Sequence, residues 1–236
     1  MEVLEAPIMM LARCRIGNFD STLAEVIPRA SEKRLAEHRS ARWLLEQMLL
    51  SKGFDIGSIE IRRDENRAPY LAWIEGTWRN EPLPSISISH SMGWAVVAIS
   101  DSDQWVGIDA EPHDRTIQEN AFDMMAKGEE LETLRLSPEL AIQMWTAKEA
   151  VQKAMHLGMN LNPREIAIPI GKSESEISIE NSKIKLKIWK DNELSYALAT
   201  RPSGRLPQTP EDALLDITRE RMADGFNIGC KTSRGN

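Results

Sequence analysis

The chain has 236 residues, 42% of them hydrophobic and 28% charged, with a formal net charge of −7. That length and composition fit a soluble globular protein with room for a sizeable core. The acidic balance argues against a general nucleic-acid binder, and no apolar run is long enough for a transmembrane helix. The N-terminal MEVLEAPIMMLARC has two early Glu and no basic segment, so it does not read as a signal peptide. Cys14 and Cys230 stand far apart without metal-ligand spacing, which fits reduced thiols and a cytoplasmic protein.

Ser31 to Lys52 predicts a helix, with Leu35, Trp43, Leu44 and Met48 at helical spacing and Gly53 as a stop. Strand-like runs follow at 59–63, 69–73, 85–90 and 94–100, the last two joined by hairpin chemistry at Ser91-Met92-Gly93. A polar turn over 101–104 leads into WVGIDAE, a further strand. Helical patterns then cover 117–135 and 138–157, and strand candidates lie at 165–170, 176–180, 184–190 and 194–200. Residues 202–210 read as a linker, 211–224 as an amphipathic helix, and the remainder as a frayed tail.

Each half thus runs helix, then antiparallel strands. The expected fold is α+β, with two pseudo-duplicated subdomains, each a helix packed on a small antiparallel sheet. The expected division is 1–103, 104–201 and a tail from 202 to 236. Charge is uneven: 29–67 holds nine Lys/Arg against seven Asp/Glu, whereas 111–139 holds eight acids against three bases. A bound polyanion bridged by metal accounts for that asymmetry, and so do solvated helix faces.

In VGIDAEPHDR, Asp109 and Glu111 sit at i and i+2, on one face of a strand. Side by side they repel, unless the strand simply ends in solvent before Pro112 or a cation sits between them. In the helix 138–157, Trp145, Glu149 and Lys153 share a face. The last two form either a surface pair or a partly buried one on a core-facing stripe. Together Asp109, Glu111 and Glu149 make an oxygen donor set suited to Mg²⁺, with Lys153, and Lys148 as a second candidate, to neutralise phosphate.

The motifs VGIDAE and WTAKEAVQKA resemble the two signatures of the 4′-phosphopantetheinyl transferases, of the type that activates surfactin synthetase. Glu111 and Trp145 stand thirty-four residues apart, as that family spaces them. Ser87 to Ser91 (SISHS), Arg42-Trp-Leu-Leu and Asn66-Arg67-Ala-Pro69-Tyr70 resemble further family landmarks in the same order. The resemblance implies Mg²⁺-dependent transfer of the phosphopantetheine arm of coenzyme A to a serine of an apo acyl or peptidyl carrier protein. It implies that Asp109, Glu111 and Glu149 hold Mg²⁺ and that Glu149 and Lys153 are catalytic. It further implies that Arg42, Arg67, Ser89, His90 and Lys153 contact coenzyme A, with the site between the two halves. A monomer then suffices, with no nucleic-acid or membrane partner. A coenzyme A-binding protein without activity and a Mg²⁺-dependent phosphohydrolase are the competing classes. The sequence departs from the family at Ala110, and at Met155-His156-Leu157, where many members keep a glycine.

Overall fold

The computed structural model describes residues 2–6, 9–25, 27–79 and 82–204. The expected helix at 211–224 and Cys230 lie outside them. In chain order the elements are β1 (Glu2–Ala6), β2 (Met9–Arg15), α1 (Glu32–Ser51), β3 (Ile59–Arg63), β4 (Pro69–Trp73), β5 (Ser85–Ser91), β6 (Trp94–Ser100) and β7 (Gln104–Pro112). There follow α2 (Phe122–Met125), α3 (Gly128–Leu136), α4 (Ala141–Ala154), β8 (Glu174–Ile179), β9 (Ser182–Lys190) and β10 (Leu194–Pro202). The architecture is α+β with small antiparallel sheets.

One sheet runs β1-β2-β6-β5 and the other β7-β10-β9-β8, while β3 and β4 form a separate hairpin. The connection order repeats. β2 pairs with β6 and β6 with β5, around α1. β7 pairs with β10 and β10 with β9, around α4.

Side-chain alternation stacks these pieces in four layers. On β6, Ala95, Val97 and Ile99 join the α1 core with Leu44, Leu45, Met48 and Leu49. The intervening Trp94, Val96 and Ala98 face the second sheet and meet Val106, Ile108, Ala110, Leu194, Tyr196 and Leu198. On β10 the other face, Ala197 and Ala199, packs under α4. Covering on both faces explains why WAVVAIS and LSYALAT read as continuous apolar runs rather than alternating ones. The order is therefore α1, sheet, sheet, α4.

Several sequence expectations need correction. The β1–β2 hairpin was not foreseen, because Leu11 and Ala12 are both fully buried, on opposite faces, and the period-two signal is lost. The helix expected over 117–135 is broken after α2, and α3 begins at Gly128, whose φ is +57°. Residues 165–170 are not a strand. Ile166 and Ile168 are buried in the α4 core, but side chains take up the Ile166 carbonyl and the Ile168 amide. Lys148 Nζ donates to the Ile166 carbonyl, and the Ile168 amide donates to Glu130 Oε1 at 3.1 Å. The β5–β6 connection does form the expected tight hairpin, with Met92 at φ +43° and Gly93 at +89°.

Candidate active site

β5 and β7 are edge strands of different sheets, and they lie against each other. The sequence S-I-S-I-S-H-S builds this junction. Ile86 and Ile88 pack toward α1, so the alternate serines turn to β7. Ser87 Oγ accepts the Ile108 amide at 2.9 Å. Ser89 Oγ donates to Asp109 Oδ1 at 2.7 Å, and Ser91 Oγ donates to Glu111 Oε2. Serine hydroxyls stand in for ladder bonds that two unpaired edges would otherwise lack.

On β7 the residues between the inter-sheet positions face α4. Gly107 lies so close that a Cβ there would sit 2.0 Å from the Ala150 carbonyl oxygen and 2.4 Å from the Ala154 nitrogen. Asp109 and Glu111 follow at i+2 and i+4 on that face. Lys153, from the last turn of α4, donates to Asp109 Oδ1 at 2.7 Å and to the Ile108 carbonyl at 3.0 Å. Glu111 Oε1 pairs with Arg115 at 2.7 Å. Asp109 is 2% exposed, and its Oδ2 has no hydrogen-bond partner among the described residues. A buried, ionised oxygen without a donor is costly unless a cation meets it.

Glu149, one turn before Lys153, carries the mark of the same crowding. Burial, then the charge of Asp109, raises its pKa from 4.5 to about 7, against the pull of Lys153. Glu111 adds to the rise, and a hydrogen bond with Trp145 opposes it. Three carboxylates therefore face two side-chain cations, Lys153 and Arg115. Among the described residues no three His, Cys, Asp or Glu already converge as a metal cage; Asp109 and Glu111 are each held by their own serine and base. The orphaned Asp109 Oδ2 and the proton affinity of Glu149 are what a hard divalent cation would relieve, so the donor set fits such a cation.

The sign of the Glu149 shift yields a prediction. The folded protein binds this proton more tightly than the unfolded chain does. This group's contribution to the stability of the metal-free protein is thus fully present below pH 4.5 and is lost as pH rises through about 7. Glu149→Gln removes the charge and keeps an acceptor for Trp145. In chelator it is expected to gain about 1–3 kcal/mol over the native chain at pH 8, and almost nothing at pH 4.5. Urea unfolding at the two pH values reads the difference, and an equal gain at both would contradict this assignment.

Lys148 does not face the acids. It is fully buried, and its ammonium donates to Glu130 Oε2 at 2.7 Å, to the Pro163 carbonyl at 3.0 Å and to the Ile166 carbonyl. All three donors are used, which rules out the phosphate role considered from the sequence. Burial lowers its pKa, and the Glu130 contact resists that shift. Lys148→Met is expected to cost about 3 kcal/mol, because it strands a part-buried carboxylate and two carbonyls. Thermal unfolding reads the loss, and an unchanged midpoint would contradict the structural role.

A second cluster lies on α1 and around it. Arg42 is 3% exposed, and its Nε is unpartnered among the described residues. Its nearest carboxylate, Glu25 Oε1, is 3.6 Å away, and Glu25 Oε2 lies 3.7 Å from Arg63. Burial pushes the guanidinium down to about 10. Glu46, the helical partner open to Arg42 by spacing, instead accepts from Ser21 and Thr22. One turn before Arg42, His38 is held neutral, to about 4, by burial and then by the Arg42 charge; Glu25, Arg63 and His90 also act on it. His90 is half exposed, with Nδ1 3.9 Å from Glu37. Arg67 is exposed, on a loop whose carbonyl at Arg67 accepts from Arg63 at 3.1 Å.

The structure thus gathers Asp109, Glu111, Glu149 and Lys153 at the β7–α4 face, and Arg42, His90 and the Arg67 loop around His38 and Arg63. Ser89, expected at a phosphate, meets Asp109. His38, Arg63 and Glu25 were missed, although His38 stands four residues before Arg42 on one helix face. Ser91 was missed too, although the alternate serines signal it.

The pairing of G-I-D-A-E on a strand with K-E-x-x-x-K on the helix covering it is what a family comparison can test. Residues 105–201 match the family model of the 4′-phosphopantetheinyl transferase superfamily. That stretch contains the whole β7–α4 face, with Asp109, Glu111, Glu149 and Lys153, and ends within β10. The Arg42 cluster lies outside it. A search of curated proteins finds no match to the chain. A superfamily domain over these residues supports phosphopantetheine transfer in general.

Proposed function

We propose that the chain transfers the 4′-phosphopantetheine arm of coenzyme A to a serine of an apo acyl or peptidyl carrier protein, as an enzyme of the surfactin-synthetase-activating type. The observation that carries this reading is the acid face of β7 set against Glu149 and Lys153, with a buried Asp109 oxygen that has no donor among the described residues. The carrier serine oxygen bonds to the β-phosphorus of coenzyme A, and the bond from that phosphorus to the bridging oxygen breaks. The arm becomes a phosphodiester on the serine, and adenosine 3′,5′-bisphosphate departs with the bridging oxygen.

Asp109, Glu111 and Glu149 are the residues that would hold Mg²⁺, which would supply positive charge to the diphosphate. Lys153 keeps Asp109 aimed at that place through one N–H and anchors itself on Ile108 O through another. Its third N–H is left for a phosphate oxygen. Glu149 is the candidate acceptor of the serine proton. Arg42, His90 and Arg67 are the candidate contacts for the remaining phosphate of coenzyme A, since a buried guanidinium short of acceptors suits a dianion. Ser89 acts through Asp109.

We further propose that 1–103 and 104–201 act as two halves around one site, so that a monomer is complete. No described helix is long and apolar enough to cross a membrane. The buried free thiol of Cys14 accords with work in the cytoplasm.

The test incubates the chain with coenzyme A, Mg²⁺ and an apo carrier and follows all products. Transfer yields equal amounts of modified carrier and adenosine 3′,5′-bisphosphate. Release of the phosphopantetheine without carrier modification would make the protein a phosphohydrolase. Unchanged coenzyme A would make it a binding protein.

A further inference from the structure

The end of α4, at Met155-His156-Leu157, carries a side chain in a backbone position that favours glycine. α4 ends at Ala154, Met155 caps it, and His156 takes the left-handed turn with φ +58°. Glycine fills such a position without steric cost, while histidine is among the few side chains that tolerate it. The side chain then has a use. Its ring lies 3.9 Å from the Trp105 ring, at 51°, and its Nδ1 meets Asp64 Oδ2 at 3.0 Å. A carboxylate only accepts, so Nδ1 carries the proton.

Asp64 opens the loop between β3 and β4. Its Oδ1 accepts the Asn66 and Ala68 amides at 3.0 and 2.8 Å, and its carbonyl accepts the Arg67 amide at 2.9 Å. Arg67 itself is held at φ +67°. A second strut comes from beyond α4, where Asn160 Nδ2 donates to Asn66 Oδ1 at 3.0 Å. The loop belongs to the first half of the chain and both struts to the second. The segment that follows the catalytic helix therefore grips the loop that presents Arg67.

We propose that His156 is a positioning residue: it latches the 64–68 loop to the end of α4 and so fixes Arg67 for coenzyme A. This rests on the transfer reading above. It goes beyond it by giving a role to a side chain that the transferase motifs do not include. The latch acts on binding of the part of the substrate that does not react, so it moves KM and not kcat.

The test uses the full chain and two variants. His156→Gly satisfies the backbone turn but deletes the donor. His156→Asn tolerates the turn and places an amide nitrogen where Nδ1 stands. With coenzyme A varied at saturating carrier, His156→Gly is expected to raise KM on the order of 3–10-fold, the value of one hydrogen bond, with kcat unchanged. His156→Asn should recover most of the loss. Amide exchange at Asn66, Arg67 and Ala68 should quicken by a similar factor in His156→Gly and return toward native rates in His156→Asn. Unchanged exchange in His156→Gly overturns the latch, and so does a loss that falls on kcat. If the native chain transfers nothing, the functional reading fails by itself, and the exchange rates still decide whether the latch exists.

Discussion

Asp109→Ala is expected to reduce transfer by more than about 100-fold while the protein still unfolds cooperatively. Changes beside a metal site already cost 10–100-fold, and in the proposed reading Asp109 is the residue on which the site converges. It takes hydrogen bonds from Ser89 and Lys153, raises the proton affinity of Glu149, and holds one buried oxygen with no partner among the described residues. Its removal releases Lys153 as well, so two functional groups are lost in one substitution. The fold survives because Lys153 is 28% exposed and can rehydrate. Initial rates at saturating Mg²⁺ and coenzyme A read the effect. Turnover within 10-fold of the native chain would remove Asp109 from the site.

Gly107→Ala is expected to be the most destabilising single substitution in this region, costing at least about 4 kcal/mol or preventing folding. The added methyl would meet backbone, not a movable side-chain end: the Ala150 carbonyl at 2.0 Å and the Ala154 nitrogen at 2.4 Å. Relief requires α4 to lift from β7 or β7 to leave β10, and either loosens a core that holds Ala147, Ala150, Val151 and Ala154. The same displacement would draw Glu149 and Lys153 away from Asp109. The glycine before the acids is thus there for approach: it lets helix and strand close to the distance at which Lys153 reaches Asp109 Oδ1. Chemical unfolding of Gly107→Ala beside Gly57→Ala, whose added Cβ meets only Asp55 Oδ1 at 3.5 Å, gives the comparison. Equal losses would contradict the close-packing argument.

Much of the frame was legible because local pattern and tertiary environment agree in it. α1 carries its capping Ser31 and helical stripe, and the β5–β6 hairpin carries turn residues suited to positive φ. Asp109 and Glu111 could be placed on one face from period alone, and Glu149 and Lys153 on one helix stripe. What sequence could not decide was which face each stripe meets. β2 was hidden by burial on both sides, and 165–170 imitated a strand because Ile166 and Ile168 are core residues. The Ile166 carbonyl and the Ile168 amide find their partners in Lys148 and Glu130, which are distant in sequence. Lys148 and Lys153 look alike in the motif. Five residues of helix turn one into the fully buried core and the other toward Asp109, and only packing distinguishes them. The serines of β5 were half legible: their alternation was visible, but not that another sheet's edge would lie against them.

The measurement that tests the central claim most directly is the intact mass of an apo carrier protein, after reaction with the chain and coenzyme A, first in chelator and then with Mg²⁺ restored. Carboxylates grouped as the proposed cation site predict no mass change in chelator. They predict full conversion by one phosphopantetheine per carrier once Mg²⁺ returns, with the modification on a single serine. A carrier modified equally fast in chelator, or left unmodified at every Mg²⁺ concentration, would contradict the account.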